Sequence, residues 1–384
     1  MNYLNIISKK YDRVLIIAII LLMTTGIIML YSASSSISLS ETGGKTDTLY
    51  LVSFLKRLLI GIIALFIFVL IDYRRLKSIA KYLIFGIIGL LVVTKTIYIF
   101  NGYTSPARWL FIGPLSFQTS DVARLAIILF IAAYIDMEKE RIKNFYNGFL
   151  PPVIISAIVI GLVMIQPDFS TAIMLGLICG IMLFMGGARI PHILAMGAAS
   201  VAIAVPVMMI APYRRSRILS WFNGNEDISS AGYQIHQSLI SLGNGQIFGL
   251  GLGNSLEKNL FLPTPHTDFI LSIIGEELGL IGIVFVLTLF LVIFQRGIII
   301  AKEANDAFGV FLALGISISI ILYAFVNAAV VTNIIPVTGL PLPLVSYGGS
   351  SMLINLIGLG ILLNISQGKR SIRHQTGWKP TYNG

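Results

Sequence analysis

Long apolar runs separated by short polar stretches dominate the chain. Ten such runs lie at 14–33, 53–71, 79–99, 120–135, 150–166, 169–186, 190–211, 268–295, 307–332 and 344–366. A helix needs about 20 mostly apolar residues to cross a bilayer, so each run is predicted to be a spanning helix. Several are short or interrupted by Gly and Pro. Backbone outside a helix cannot face lipid, so the links are expected to be short surface loops. The segment 213–267 breaks this pattern as the longest stretch between spans. It holds Gly232-Tyr-Gln-Ile-His-Gln-Ser-Leu-Ile-Ser-Leu-Gly243, an amphipathic piece too short to span and therefore interfacial or re-entrant. Structured loops of this length usually carry function.

Composition sharpens the picture. Of 384 residues, 56% are AVILMFWYC and 11% are DEKR, less than half the roughly 25% charged share of an ordinary soluble domain. A soluble core cannot absorb so much apolar surface. A soluble enzyme, a disordered chain and a coiled coil are excluded. The expected architecture is an all-α polytopic membrane protein of ten transmembrane helices. It forms a single domain over 1–384, with 213–267 as a large loop between helices 7 and 8 and 367–384 as a tail.

Charge then sets the orientation. With ten spans both termini share a side. Most of the 27 Lys and Arg residues fall on that side: Lys9, Lys10, Arg13, Arg74, Arg75, Lys77, Lys81, Lys139, Arg141, Lys143, Arg189, Arg296, Lys302, Lys369, Arg370, Arg373 and Lys379. Such a bias places both termini in the cytoplasm and the 213–267 loop outside. The net charge of +10 reflects this bias and attraction to anionic lipid. No basic patch is interleaved with aromatics, so nucleic acid is not an expected partner.

Candidate chemistry is sparse. A single cysteine, Cys179, and four scattered histidines give no expected metal site built by the protein. Arg214, Arg215 and Arg217 break the charge bias at the outer end of the seventh span. They are either snorkelling residues or an anion site, since guanidinium grips phosphate bidentately. Ionisable groups in or at the edge of a membrane are candidates for function. They are Asp168, Asp121, Arg124, Asp268, Glu276 and Glu277. Asp268 and Glu276 are over ~12 Å apart along a helix, so they are not a side-by-side acid/base pair. For Asp268 the plain alternative is a helix N-cap, a role open to Thr267 as well. Glu276 and Glu277 are expected to make structural ion pairs with arginines of neighbouring helices. Asp121 and Arg124, at i,i+3 spacing, can neutralise each other. Arg108-Trp109 lies in an outer loop, where Trp anchors an interface. Gly249-Leu-Gly-Leu-Gly253 follows no strand and reads as a tight turn. Pro336–Pro343 followed by Ser346-Tyr-Gly-Gly-Ser-Ser351 reads as a rigid outer loop whose small residues, Ser346, Gly348 and Gly349, allow close approach of backbone or ligand.

These same residues resemble the SEDS family of bacterial peptidoglycan polymerases. The resemblance rests on Arg108-Trp-Leu-Phe-Ile-Gly-Pro-Leu-Ser-Phe-Gln-Thr-Ser-Asp121, Gln166-Pro-Asp-Phe-Ser-Thr171 and Gly232-Tyr-Gln-Ile-His-Gln-Ser238. It continues through Gly249-Leu-Gly-Leu-Gly-Asn-Ser255, Leu262-Pro-Thr-Pro-His-Thr-Asp-Phe-Ile270, Gly275-Glu-Glu-Leu-Gly279 and Pro341-Leu-Pro-Leu-Val-Ser-Tyr-Gly-Gly-Ser-Ser351. It spans the chain and leans toward the FtsW (division) branch over RodA (elongation). Two departures stand out. Asp121 and Arg124 replace the family's usual Glu and Lys, and Leu262-Pro-Thr-Pro-His266 lacks a carboxylate usual beside the site.

The resemblance implies polymerisation of lipid II into β-1,4-linked glycan at the outer face of the cytoplasmic membrane during septal cell-wall synthesis. It implies inversion at the donor sugar, with Asp268 as general base. Arg214 and Arg215 would stabilise the leaving diphosphate, with Lys258 and Arg108 as further candidates. Trp109, Arg124, Gln237, His266 and Thr267 complete the implied substrate-binding set with Ser346, Gly348 and Gly349. A divalent cation (Mg or Mn) would share the task, though the sequence shows no cage for one. Implied partners are polyprenyl-pyrophosphate-linked glycan, a class B penicillin-binding protein as transpeptidase, other division or elongation proteins, and membrane lipid. The alternatives are a RodA-like elongation polymerase and a lipid II flippase. No matched pair of broken half-helices is visible, which favours the enzyme.

Overall fold

The computed structural model describes residues 11–100, 108–112, 115–210, 212–222, 230–258, 261–263 and 265–367. The tail expected at 367–384 lies, beyond its first residue, outside the described residues. The helices are α1 (Arg13–Glu41), α2 (Leu49–Leu70), α3 (Arg74–Phe100), α4 (Thr119–Met137), α5 (Leu150–Ile165), α6 (Phe169–Met185) and α7 (Ile190–Ile210). They continue as α8 (Pro212–Phe222), α9 (Ser230–Gly245), α10 (Ile270–Glu303), α11 (Ala307–Val331) and α12 (Gly349–Ser366). The helices α1 to α7 and α10 to α12 each cover one predicted run. Among the described residues, 8 helical segments are long and apolar enough to cross a membrane. The two outside that set are α6, at 17 residues, and α4, which carries Asp121, Arg124 and Asp136.

Local chemistry explains several helix ends. The Asp12 carboxylate accepts the Leu15 amide and starts α1, and it also takes the Arg296 guanidinium from the end of α10. Asp306 caps α11 through the Gly309 amide and accepts from Tyr73 Oη at 2.6 Å and Arg74 Nε at 3.1 Å. These ties pull the helix ends on that side together. The chain between α3 and α4 departs from an all-α fold by one antiparallel hairpin, β1 (Trp109–Ile112) and β2 (Leu115–Gln118), with Trp109 opposite Gln118.

Two segments differ from the simple plan of spans and surface loops. First, α10 is broken at Gly279, whose φ is 68° and ψ −166°. The break frees carbonyls and amides inside the membrane, which must find partners. The segment after α9 supplies them. Leu250 N donates to Glu276 O at 2.9 Å and Gly251 N to Glu277 O at 3.0 Å. In return, Leu280 N donates to Gln246 O and Ile281 N to Ile247 O. Gly249, with φ 79°, must be glycine, because a Cβ there would fall 2.2 Å from Glu277 O. The glycine-rich run is thus a turn built to patch a broken helix. The break is single among the described residues, not one of a matched pair.

Second, the stretch from Asn333 to Gly348 is not a surface loop. Leu340, Leu342, Leu344, Val345 and Ser346 are all buried, and the backbone of Leu344 and Val345 lies against Gly26 in the middle of α1. The chain therefore dips into the bundle before turning into α12.

Candidate active site

A cavity of about 450 Å³ opens among α6, the 335–340 stretch, α8 and the turn before α10, and Asp268 lines it. Four other charged groups line it too: Arg108, Asp168, Arg214 and Arg217. Apart from Ser170 and Thr338 the remaining wall is apolar, including Phe169, Ile173, Leu177, Met208 and Val326. The combination is two carboxylates and three guanidiniums sharing one cavity with a largely apolar wall.

Asp268 is not the N-cap of α10. That position is Phe269, with no side-chain cap bond, so the carboxylate is free of the plain structural role. Its backbone is fixed instead: Asn327 Nδ2, on α11, donates to Asp268 O at 2.8 Å and to Leu340 O at 2.9 Å. One amide thus ties the Asp268 turn to the re-entrant stretch. A Cβ on Gly339 would approach Asp268 Oδ2 at 3.4 Å. Burial pushes the Asp268 carboxyl above the usual carboxylate range, while the charges of Arg217 and Arg108 pull it back. A raised value strengthens a carboxylate as a base, and the facing cations favour its ionised form.

The cations are placed by local structure. Arg214 and Arg217 lie three apart on α8, which puts them on one helix face. Arg214 Nη1 donates to Val207 O at 3.2 Å, and its guanidinium stands 5.4 Å from the Phe169 ring. Arg217 Nη1 donates to Val337 O at 3.1 Å. Trp221 Nε1, one turn on, donates to Asn333 O, pinning α8 against the re-entrant stretch. Arg215 is exposed and does not line the cavity, because it sits ~100° around the helix from Arg214. Asp168 is 3% exposed and accepts from Ser120 Oγ at 2.6 Å, Gln118 Nε2 at 2.7 Å and Arg108 Nη1 at 3.3 Å. It thereby holds Arg108 at the cavity rim.

Several nominated residues lie elsewhere. Arg124 is 1% exposed. It stands 4.0 Å from Asp121, bonds Asn355 Oδ1 at 3.1 Å and packs on the Tyr323 ring. Asp121 accepts from Ser350 Oγ at 2.6 Å. Both are interior struts between α4 and α12. Lys258 is also buried. Its Nζ bonds Glu277 Oε1 at 3.1 Å, Ser32 Oγ and Gly253 O. The ion pairs expected between Glu276 or Glu277 and neighbouring arginines are therefore corrected. Glu277 pairs with a lysine from the loop, and Glu276 is held by Ser255 Oγ, Ser241 Oγ and the Leu256 amide. This network sits under the Gly279 break, where loop cations reach more easily than arginines on distant helices. Ser346 Oγ accepts the Leu342 amide, and Gly348 and Gly349 start α12. Trp109 lies on β1, Gln237 on α9 and Thr267 in the turn beside Asp268; all three are partly exposed. His266 stacks with Tyr50 at 4.4 Å and Tyr347 at 5.6 Å.

Three cavity or hinge residues, Arg217, Asp168 and Asn327, stand outside the substrate-binding set that the resemblance implies. Arg217 and Asp168 were visible as charges. Asn327 carried the signal of a lone amide in an apolar run. Among the described residues no three His, Cys, Asp or Glu side chains gather as a cage. In the cavity Asp168 is already satisfied by three donors, so the residues present do not fit a divalent ion.

The sequence profile of the FtsW, RodA and SpoVE family, described as cell cycle proteins, matches residues 12–371. The chain is 38% identical over 362 residues to a probable peptidoglycan glycosyltransferase FtsW of Geobacter sulfurreducens, covering 93% of this chain and 95% of the relative. It is 40% identical over 368 residues to the stage V sporulation protein E of Bacillus subtilis, covering 94% and 98%. Its fold matches a chain of a peptidoglycan synthase complex that coordinates polymerization and crosslinking, with a TM-score of 0.75, 25% identity and 94% and 98% coverage. The rod shape determining protein RodA of Thermus thermophilus shares the fold at a TM-score of 0.68 and 24% identity, covering 94% of this chain and 97% of that one.

Proposed function

This chain belongs to the FtsW, RodA and SpoVE family, and on that premise we propose that it is a peptidoglycan glycosyltransferase that polymerises lipid II. The observation that carries the reading is the cavity that sets Asp268 beside Arg108, Arg214 and Arg217 above an apolar groove. Lipid-linked sugar diphosphates need an apolar seat, cations for two phosphates and a base for one hydroxyl. The cavity offers all three.

In the proposed reaction the growing glycan is the donor, held by its polyprenyl diphosphate. The acceptor hydroxyl of lipid II attacks the anomeric carbon as the bond to diphosphate breaks, inverting that centre. Asp268 takes the hydroxyl proton. Arg214 and Arg217 stabilise the charge that grows on the leaving diphosphate, a kind of interaction worth several kcal/mol in enzyme sites. Arg108, held by Asp168, closes the rim. Tail carbons lie along Phe169, Ile173 and Leu177. Both termini lie in the cytoplasm, ten helices span the inner membrane, and the cavity faces outward; the lysine and arginine bias supports this orientation. Cross-linking falls to a class B penicillin-binding protein bound alongside other division proteins.

The test is a gel assay of purified chain with lipid II, with and without a cognate transpeptidase. Ladders of glycan that form in detergent, without a second compartment, support the polymerase. A chain that moves lipid II across vesicles and makes no polymer is a flippase, and the proposal fails.

A further inference from the structure

Polymerisation joins two lipid diphosphates, yet the cavity beside Asp268 supplies one cluster of cations. A second unclaimed cation lies on the other side of the same turn. Arg57 sits on α2, about 12 Å below the outer start of that helix at 1.5 Å per residue. Its guanidinium stands 4.8 Å from the Tyr347 ring centroid. It also packs on Gly349, where a Cβ would meet its Cδ, Nε and Cζ at 3.2 Å. None of the ion pairs among the described residues involves it. A partly buried guanidinium within an apolar helix and outside every ion pair of the described residues is a candidate site for an anion.

The surroundings fit that charge. Gly349 opens the 18-residue α12, and its N-cap Gly348 provides no side-chain cap. The amides of the first turn and the helix dipole therefore favour an anion at this end. Independently, His266 is 6% exposed, and its Nδ1 has no hydrogen-bond partner. Its ring lies against Tyr50 and Tyr347 in the same cluster. Two carboxylates lie nearby and both are engaged: Glu41 accepts from Tyr50 Oη at 2.8 Å, and Asp121 accepts from Ser350 Oγ, in the first turn of α12, at 2.6 Å. Tyr347 N donates to His266 O at 2.9 Å, so the cluster is welded to the turn that carries Asp268 two residues later.

We infer that Arg57, the first turn of α12 and His266 form a second phosphate subsite, which takes the diphosphate of the acceptor lipid II while the cavity of Arg214 and Arg217 takes the donor. The inference rests on the polymerase reading. The recognised chemistry is a phosphate on a lipid anchor. Such a phosphate belongs either to lipid II or to a bulk phospholipid, and the experiment separates them.

The purified full chain is loaded with lipid II or with phosphatidylglycerol and read by native mass spectrometry. It is then assayed for single additions of lipid II to a preformed lipid-anchored glycan. Wild type binds two lipid II molecules; Arg57→Ala binds one and keeps its phosphatidylglycerol count. Arg57→Ala raises the KM for lipid II about tenfold, the scale of a lost hydrogen bond to charge, and leaves the KM for the glycan donor unchanged. Arg57→Lys restores part of the loss and guards against a folding defect, as does Gly349→Ala, which displaces the guanidinium without removing it. Two lipid II molecules on Arg57→Ala, or a KM shift confined to the donor, overturn the inference. So does loss of phosphatidylglycerol alone, which makes Arg57 a phospholipid contact. If wild type makes no polymer, the polymerase reading falls, while the lipid II count still decides whether Arg57 holds a second phosphate.

Discussion

Arg108 Nη1 lies 3.3 Å from Asp168 Oδ1, and both side chains line the cavity that Asp268 also lines. The pair is asymmetric. Asp168 is nearly fully buried, while the Arg108 side chain is 44% exposed, so the carboxylate is the anchor and the guanidinium the reaching arm. Asp168→Ala removes the acceptor for Ser120 and Gln118 as well. The expected cost is about 1–3 kcal/mol of stability, with Arg108 released from the rim. Thermal unfolding in detergent and the KM for lipid II measure the two effects, and both are expected to worsen together. Arg108→Ala is expected to change KM with little loss of stability.

The two arginines of α8 that face the cavity are separable from the one that does not. Arg217→Ala is expected to lower kcat/KM roughly 100-fold, the scale seen when a donor to a developing anion is removed. Arg215→Ala is expected to stay within about twofold, as surface substitutions away from a site do. A larger loss from Arg215→Ala than from Arg217→Ala contradicts the placement of the leaving diphosphate.

The buried pair of Lys258 and Glu277 tests the broken helix. Lys258→Met leaves a buried carboxylate unpaired and is expected to cost about 3–5 kcal/mol, whereas replacing both residues with Met costs less than either single change. Gly249→Ala forces a Cβ against Glu277 O and an L-residue into positive φ, so it is expected to destabilise by more than about 1 kcal/mol. Melting temperatures of the purified variants check the order.

The pH profile follows from the base. Burial raises the Asp268 carboxyl, and the base must be ionised to act. Polymerisation therefore rises with pH through a value above the ordinary carboxylate range and then levels. Burial also drives His266 down to about 4, so it stays neutral through that window and adds no limb near pH 6. A rate profile from pH 4 to 8, expected to show one acidic limb in wild type, checks this. A second limb lost in His266→Gln contradicts it.

Most of the fold was legible because hydropathy alone decides which segments can face lipid; each of the ten apolar runs falls on a helix for that reason, and among the described residues 8 helical segments are long and apolar enough to span. What was not legible depended on backbone pairing. The run 268–295 is mostly apolar, with Asp268, Glu276 and Glu277 its charged residues, and holds Gly275 and Gly282 as well as Gly279, so its hydropathy does not single out Gly279 as a break; the signal lay in Gly249, Gly251 and Gly253, whose partner strand of backbone only the fold reveals. The Pro-rich stretch before α12 is small and mildly polar, and such a composition does not report depth. Within the site, Asp268 was legible. The choice of Arg215 over Arg217 failed because 212–222 was read as the end of a span. Taken as a helix of its own, its i,i+3 spacing pairs Arg214 with Arg217. Arg124 and Lys258 were legible as charges at the membrane, but only packing distinguishes a strut from a ligand.

The central claim is that the Asp268 carboxylate removes the acceptor proton. The direct measurement is single-turnover extension of a lipid-anchored glycan by lipid II with purified Asp268→Asn, an isosteric change that keeps hydrogen bonding and removes basicity. The account predicts that this variant binds both lipids as wild type does and extends no glycan. Extension at a rate near that of wild type would contradict it.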